Sequence, residues 1–361
     1  MHQTSIRAQS TLEKNKIILS PQSQNLAKTL APFKSSVAEL ASHCAKFRGA
    51  KNRSALVQLF NTIFCLACIL TLMFWTVEKN YFLTMLIGIP CGLLLVRFFI
   101  IQHDCGHNSF FSSPTVNTNV GRLISLLTFT PFGLWKREHA QHHATSGHLD
   151  KRGVGDIETL TVSEWEKLPP LRKLGYKIYR NPLFLFGIGV PFYFLILQRL
   201  PWFHAYPARE TWKSVLGLNL CLTVFYGSLG LFLGFSNLFL VMWPLVHVAS
   251  AVGGWLFFIQ HQFEDTVWEK HENWNFQVAA LYGSSYYKLH PILNWFTGSI
   301  GLHHIHHLNS MIPNYRLKEC LEESPALQSL NKITFKESLK CAKLKLWDEK
   351  NRKLVTFAEV N

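Results

Sequence analysis

Charged side chains are scarce in this sequence of 361 residues. Asp, Glu, Lys and Arg make up 16% of the chain, whereas a soluble globular domain carries about 25%. Hydrophobic residues reach 48% and include 28 Phe, a composition that excludes intrinsic disorder and argues against an ordinary cytosolic globule. Because the mean hydropathy is only slightly positive, at +0.10, we expect a protein that is partly embedded in a bilayer and partly aqueous.

Signals for secretion and for nucleic-acid binding are also missing. Residues 1–54 are polar and basic and contain no apolar stretch like that of a secretory signal, so they read as a cytoplasmic N-terminal segment. The net charge of +14 raises the question of nucleic acid. The basic residues, however, lie between apolar runs and in the two tails, without a zinc-finger or RNA-binding motif. That distribution is typical of a membrane protein with cytoplasmic faces, and we expect no nucleic-acid partner.

The eight cysteines give no disulfide framework. They are scattered along the chain, and several stand in apolar runs. Cys65 and Cys68 have the spacing of a redox pair, but they lie inside an uncharged stretch, where buried packing is the better interpretation.

What the sequence does contain is four long apolar runs in two hairpins. The run 55–75 has no charge over 21 residues, which is enough to cross a hydrocarbon core of about 30 Å as a helix. Arg97 stands near the end of the second run, where a long side chain can reach the headgroups. The four runs are 55–75, 82–101, 214–235 and 238–259.

Two further apolar stretches are ambiguous. Residues 120–134 are too few to span and include Arg122 and Pro131. Residues 182–198 are borderline in length and include Pro191. Neither stretch can be assigned as a span from hydropathy alone.

Histidines cluster beside these runs. On a helix, residues at i, i+3 and i+4 share one face, so HxxxH and HxxHH each direct two or three imidazoles to one point. Imidazole suits iron, zinc, copper and nickel, and nine convergent nitrogens exceed what one metal needs. Two metals are therefore the natural number. The clusters are His103 and His107, then His139, His142 and His143, then a single His261, then His303, His304, His306 and His307.

The remaining histidines are isolated in the sequence. His247 stands inside a run, where a hydrogen bond to a neighbouring helix is the simpler role. The others lie in polar segments and are expected to be solvated; they are His2, His43, His148, His204, His271 and His290.

Two other histidine-rich functions fit poorly. A zinc protease needs HExxH on a helix, and His271-Glu272 is followed by Asn275 where the second His should stand. A catalytic zinc site also uses only three protein ligands. A metal transporter would place its ligands near the midplane of the spans, whereas all candidates except His247 lie outside them.

The motifs HDCGH (103–107), HAQHH (139–143) and HHIHH (303–307), with FFIQHQFEDTVW around His261, resemble those of the integral-membrane fatty acid desaturases. The resemblance covers about residues 55–325. The HxxxH first motif is similar to that of the acyl-lipid branch, whose members act at mid-chain or methyl-end positions. The acyl-CoA branch has HxxxxH, and it has Asn at the position occupied here by Phe257.

The resemblance implies a non-haem centre of two iron ions, with O2 as co-substrate and membrane-lipid acyl chains as substrate. Removal of two vicinal hydrogens would leave a cis double bond and water. Asp104, Glu138, Glu264 and Asp265 are placed to orient imidazole N–H groups, although each could equally be an ordinary surface carboxylate. The implied metal ligands are His103, His107, His139, His142, His143, His261, His303, His306 and His307.

All the histidine motifs must reach one site, so the stretches between them cross the bilayer an even number of times. Residues 120–134 then do not cross, and residues 182–198 are interfacial or re-entrant. Thirteen Lys/Arg lie in 102–213, nine in 1–54 and twelve in 260–361, against Lys79 alone in the two hairpin turns. By the positive-inside rule the termini and the site face the cytoplasm.

We therefore expect an all-α, multi-pass membrane protein with four transmembrane helices in two hairpins and a cytoplasmic helical cap holding a di-iron site. Its divisions are a cytoplasmic N-terminal segment (1–54), a desaturase domain (55–325) and a cytoplasmic C-terminal tail (326–361).

The electron donor is expected to be a separate protein. His290-Pro291 is followed by Ile292 and Leu293 rather than by the glycines of a haem-binding HPGG, and no ferredoxin cysteine run occurs. The donor would be of the ferredoxin or cytochrome b5 type, and an acidic one would suit a basic face. The alternative reaction is hydroxylation or ketolation of a fatty chain or carotenoid at the same centre.

Overall fold

The computed structural model describes residues 36–153, 155–204 and 208–360, and this part of the chain is mostly helical. Most of the predicted N-terminal segment, together with His2, lies outside the described residues. The helices are α1 (Val37–Ala45), α2 (Asn52–Thr76), α3 (Tyr81–Gly106), α4 (Pro114–Thr128), α5 (Phe132–Thr145), α6 (Val162–Lys167), α7 (Pro170–Tyr179), α8 (Pro182–Arg199), α9 (Ala208–Leu233), α10 (Phe235–His261), α11 (Phe276–Tyr282), α12 (Pro291–Phe296), α13 (His303–Leu308), α14 (Asn314–Glu322), α15 (Pro325–Ser329) and α16 (Phe335–Cys341).

Two short sheets add to the expected all-α fold in the described residues. Strands β1 (Tyr286–Lys288) and β2 (Lys332–Thr334) pair in parallel. Strands β3 (Leu346–Asp348) and β4 (Lys353–Val355) form an antiparallel hairpin. Both sheets include residues of the C-terminal segment, which is consequently tied to the rest of the protein. Trp347 of β3 is fully buried and stacks on Trp268, with ring centroids 5.3 Å apart.

Among the described residues, five helices are long and apolar enough to cross a membrane: α2, α3, α8, α9 and α10. Four of them coincide with the four predicted runs. The fifth, α8, is irregular, because a π-helical turn at Leu185–Gly189 is followed by an α-helical turn at Val190–Leu195 and a 3₁₀ turn at Leu197–Arg199. Pro191, which lacks an N–H group, lies within this segment.

Two glycines allow α3 and α10 to cross closely. Gly88 and Gly92 are one turn apart on α3 and face Pro244 and Val248 of α10. A Cβ at Gly92 would lie 2.7 Å from the Cβ of Val248, so a larger residue would push the helices apart. Small residues of this kind let helices pack closely where water gives no hydrophobic drive. The crossing matters because α3 and α10 carry His103 and His261 at their ends.

Arg97 does not reach toward the headgroups as its position suggested. It is buried within the helices, where its Nε donates to Thr62 Oγ1 at 3.0 Å and its guanidinium also donates to the carbonyl of Trp295. The guanidinium carbon lies 4.2 Å from the centre of the Trp295 ring. A buried arginine is stabilised by such partners, and here it ties α3 to α2 and α12.

Candidate metal centre

Nine histidines converge from four helices. His103 lies in the last turn of α3 and His107 caps that helix, while His261 is the last residue of α10. The other six stand at i, i+3 and i+4 on two helices that lie outside the apolar runs. They are His139, His142 and His143 on α5, and His303, His306 and His307 on α13.

The nine imidazoles form two groups, in each of which the ligand atoms lie within 4.8 Å of one another. All nine histidines singled out in the sequence are included, each in one group. We call them the five-histidine group and the four-histidine group. The first contains His103, His107, His139, His143 and His306, and the second contains His142, His261, His303 and His307.

The donor atoms of these groups suit metal ions. In the four-histidine group, the Nε2 atoms of His142 and His303 each lie 3.1 Å from Nε2 of His261. Nitrogen atoms that converge this closely can be ligands of one ion, because metal–nitrogen bonds to histidine are about 2.0–2.1 Å long. His143 makes the same 3.1 Å approach to His139 and His306 in the five-histidine group.

Among the described residues, three Nε2 atoms of the two groups have no hydrogen-bond partner. Nε2 of His103, His107 and His307 is buried without a hydrogen bond among the described residues. An unpaired buried polar atom is costly, and a cation bound to its lone pair would compensate for that cost. The histidine groups therefore fit a pair of metal ions by the chemistry of their donors.

Burial keeps five of the imidazoles on α5 and α13 neutral. Desolvation, and then the neighbouring histidines, hold the pKa of His139, His143, His303, His306 and His307 well below the usual 6.5. A histidine with so low a pKa is uncharged at physiological pH, so its lone pair is available to a metal.

One predicted orienting carboxylate lies where that role requires. Oδ1 of Asp104 is 2.9 Å from Nδ1 of His103. The other oxygen, Oδ2, accepts hydrogen bonds from the backbone and side-chain N–H groups of Asn314, at 2.6 and 2.8 Å. A carboxylate held from both sides can fix the ring of His103 so that its Nε2 faces the five-histidine group.

The carboxylate beside His142 was missed by the sequence analysis. Oδ1 of Asp156 lies 2.6 Å from Nδ1 of His142. Burial alone would raise the pKa of Asp156, but contact with His142 holds it below the usual value. The approach depends on Gly155, whose φ is +72° and whose Cα packs against α5 so closely that a Cβ would lie 3.3 Å from the Cβ of His142. Nothing in the local sequence of this loop signals the contact.

His261 is oriented by the backbone rather than by a carboxylate. Its Nδ1 lies 3.0 Å from the carbonyl oxygen of Gly283. The neighbouring Glu264 and Asp265, both expected to orient an imidazole, are exposed. Glu264 instead forms a salt bridge with Lys353 at 3.7 Å.

Glu138 contacts a different histidine from those of the two groups. Its Oε1 lies 2.8 Å from Nδ1 of His204. His204 was expected to be solvated, as was His148, which is buried with its Nε2 3.2 Å from Nδ1 of His271. His304 belongs to neither histidine group of the described chain, and its Nε2 lies 3.1 Å from the carbonyl of Leu327.

The surroundings of the two groups differ. Trp135 stacks on His139, with centroids 4.6 Å apart and planes at 12°, and Phe99 packs edge-on to Trp135. Beside the four-histidine group lies a cavity of about 690 Å³. Its walls include Phe257, His261 and Asp156, together with charged side chains such as Asp150 and Arg152. The five-histidine group is therefore flanked by Trp135, and the four-histidine group borders a cavity with both polar and apolar walls.

Apolar helices that end at a buried set of histidines define a class of protein, a helical membrane protein with a histidine-rich site that can hold metal. Comparison with known proteins specifies the family. Residues 80–335 match the sequence profile of the fatty acid desaturase family. A fatty acid desaturase of Bacillus subtilis is 38% identical over 323 residues, which are 89% of this chain and 91% of the relative. The chain belongs to the fatty acid desaturase family and is an oxidoreductase.

Cyanobacterial relatives have more specific names. The sn-1 acyl-lipid omega-3 desaturase (ferredoxin) of Synechocystis sp. is 29% identical over 246 residues, 64% of each chain. The sn-1 oleoyl-lipid 12-desaturase of Anabaena variabilis is 26% identical over 253 residues, 68% of this chain and 70% of the relative. The resemblance to acyl-lipid desaturases is thereby confirmed.

Proposed function

We propose that this protein uses O2 and two iron ions to introduce a cis double bond into an acyl chain of a membrane lipid. The observation that carries the proposal is the division of nine histidines into two adjacent groups. The five-histidine group would hold one iron and the four-histidine group the other. When bound, such a pair would activate O2 so that two hydrogens are removed from unactivated C–H bonds, with two electrons from the donor and two protons completing the reduction of O2 to two waters.

The protein itself contributes position and exclusion of water. Asp104, Asp156 and the carbonyl of Gly283 each contact the Nδ1 side of a histidine ring, which leaves Nε2 for the metal. Phe99 of α3 and Trp135 of α5 pack against each other. An acyl chain would find apolar contacts beside these two rings.

A lipid substrate and an external donor are supported by the relatives and by the apolar helices. The relative from Synechocystis sp. is named as an acyl-lipid omega-3 desaturase (ferredoxin), and that from Anabaena variabilis as an oleoyl-lipid 12-desaturase. The net charge of +14 favours an acidic electron donor. We therefore propose a small acidic redox protein, of the ferredoxin or cytochrome b5 type, as the source of electrons.

We propose four spans, with both termini and the site on the cytoplasmic side, an orientation that is supported by the distribution of Lys and Arg. Contacts at the two ends of α8 support the part of this topology in which α8 does not cross. Just before α8, Arg180 donates to Oε1 of Gln262, the neighbour of His261. Just after it, His204 contacts Glu138, the neighbour of His139. Both ends of α8 therefore lie on the side of the metal centre, which favours a helix that enters the membrane without crossing it.

We expect a cysteine at Tyr193, in the middle of α8, to be labelled by a membrane-impermeant maleimide only from the cytoplasmic side, if at all. The less buried native cysteines, Cys65, Cys68 and Cys221, would first be replaced by alanine. Cysteines at Lys79, in the first hairpin turn, and at Lys350, in the turn between β3 and β4, serve as markers of the two sides of the membrane. Labelling at position 193 from the same side as position 79 would show that α8 crosses and that the four-span topology is wrong.

The reaction itself is tested by expressing the protein in a host that lacks polyunsaturated lipids and profiling the fatty acid methyl esters. We expect a new fatty acid that has lost two hydrogens, and about two irons per chain in the purified protein. A product that has instead gained an oxygen atom would identify a hydroxylase, which the relatives do not favour. Stoichiometric zinc without iron in an active preparation would contradict the proposed centre.

A further inference from the structure

Helix α7 has an apolar stripe that the protein does not cover. Leu171, Leu174 and Ile178 are 80, 55 and 46% exposed. Residues three and four apart share a face of a helix, so these three side chains form one continuous stripe. A stripe of this kind in water would be unfavourable and marks an interaction surface.

The opposite side of α7 packs against residues 158–160 and against the C-terminal segment. The hydroxyl of Tyr176 accepts from the backbone N–H of Leu160 at 3.1 Å and donates to the carbonyl of Lys345 at 2.6 Å. The hydroxyl of Tyr179 accepts from the backbone N–H of Glu158 at 3.1 Å. These contacts hold residues 158–160, the continuation of the loop that brings Asp156 to His142.

Basic residues flank the apolar stripe. Arg172 and Lys177 are both exposed on the same helix as the stripe. Lys173 instead lies over Trp165, with its Nζ 5.6 Å from the ring centre, and donates to the carbonyl of Glu166 at 3.1 Å. Helix α7 carries three Lys or Arg residues and no Asp or Glu, and Arg180, which follows it, is buried in the protein. An apolar stripe bordered by exposed basic side chains is the pattern of a helix that lies in the surface of an anionic membrane.

The position of α7 in the chain agrees with this pattern. Only two residues separate it from α8, which is long and apolar enough to enter a membrane. Leu183, at the start of α8, is 85% exposed. The apolar surface of α7 thus continues directly into a helix that is itself apolar.

We propose that α7 lies in the cytoplasmic surface of an anionic bilayer, with Leu171, Leu174 and Ile178 among the acyl chains and with Arg172 and Lys177 at the phosphate groups. The lipid thereby supports, from outside, the loop that places Asp156 against His142. This inference depends on the membrane placement of the proposed function but not on its reaction. An electron donor or a second copy of the chain are the other possible occupants of the stripe.

The test is a fluorescent NBD label on Leu174→Cys in nanodiscs, in the background that lacks Cys65, Cys68 and Cys221. The control is the same label on Lys350→Cys, in the exposed turn between β3 and β4. We expect quenching by aqueous iodide to be at least about threefold weaker at position 174 than at position 350. Lipid carrying a shallow doxyl group should quench the label at position 174 only.

Lipid charge provides the second arm. Replacing part of the phosphatidylcholine with phosphatidylglycerol should strengthen doxyl quenching at position 174, and Arg172→Gln with Lys177→Gln should remove that increase. The variant His306→Ala, which we expect to be inactive, should show the same quenching. Failure of the reaction can therefore be distinguished from failure of the membrane contact.

Equal iodide quenching at positions 174 and 350 would show that the stripe faces water and would overturn the proposal. Protection that depends on protein concentration, or on added ferredoxin, would also overturn it by identifying a protein as the occupant. Protection from iodide with doxyl quenching, independent of both, is the result that supports it.

Discussion

Alanine at His303, His306 or His307 is expected to abolish the unsaturated product, whereas His304→Gln retains a measurable fraction of it. All four histidines belong to the HHIHH motif, so residue type alone does not show which of them bind metal. The structure places His303 and His307 in the four-histidine group and His306 in the five-histidine group. Loss of any of these rings would leave one metal with fewer ligands.

His304 is different because its ring faces the protein. It is fully buried, stacks on Tyr286 and has its Nε2 3.1 Å from the carbonyl of Leu327. A glutamine amide can donate to the same carbonyl. We expect His304→Gln to lower stability by about 1 kcal/mol and to leave the metal in place.

The four variants should be compared at matched abundance in membranes, by fatty acid yield and by metal content after purification. For the three alanine variants we expect a loss of product of more than about 100-fold, beyond the range seen when only a supporting contact is removed. If His304→Gln were inactive and His303→Ala active, His304 would be a ligand and the assignment of His303 to the metal site would be wrong.

The second large effect is expected at Asp156. Its carboxylate fixes the ring of His142 through the 2.6 Å contact to Nδ1. Without it the ring can rotate, and its other nitrogen can take the proton that should be on Nδ1. We expect Asp156→Ala to lower metal retention and product yield by about 10- to 100-fold, as is usual for residues that support a metal-binding histidine.

Asp156→Asn provides a graded comparison, because its side-chain oxygen can still accept from Nδ1 but carries no charge. We expect its loss to be smaller than that of the alanine variant. Glu158→Gln is the matched control, since Glu158 is exposed on the same loop. Metal content would be measured after a fixed exposure to chelator. Retention equal to that of the unaltered protein in Asp156→Ala would show that the contact has no role in holding the metal.

The candidate ligands were accessible to sequence analysis because both of the patterns involved are local. A helix repeats every 3.6 residues, so the spacing of His139, His142 and His143 is enough to place them on one face. Hydropathy likewise identified α2, α3, α9 and α10 as long apolar helices, because each spans its length with almost no charge. The resemblance to desaturases then joined the separate motifs into one expected site.

Contacts between distant segments were decided only by the tertiary structure. The sequence left open which histidines share a metal. Helix α5 contributes to both groups, because His139 and His143 turn toward α3 while His142 turns toward α10. Glu264 and Asp265 follow His261 directly, yet they are exposed. Asp156 reaches His142 from across a loop, because Gly155 lets the backbone approach α5.

The same distinction applies to α8 and to the C-terminal segment. Length and hydropathy describe α8 as a possible span, and only the partners of Arg180 and His204 place both of its ends beside the metal centre. Residues 326–361 carry no motif that predicts docking, yet Trp347 is buried against Trp268. The period of a helix and the hydropathy of a run belong to consecutive residues, whereas the partner of a buried ring depends on how separate segments pack together.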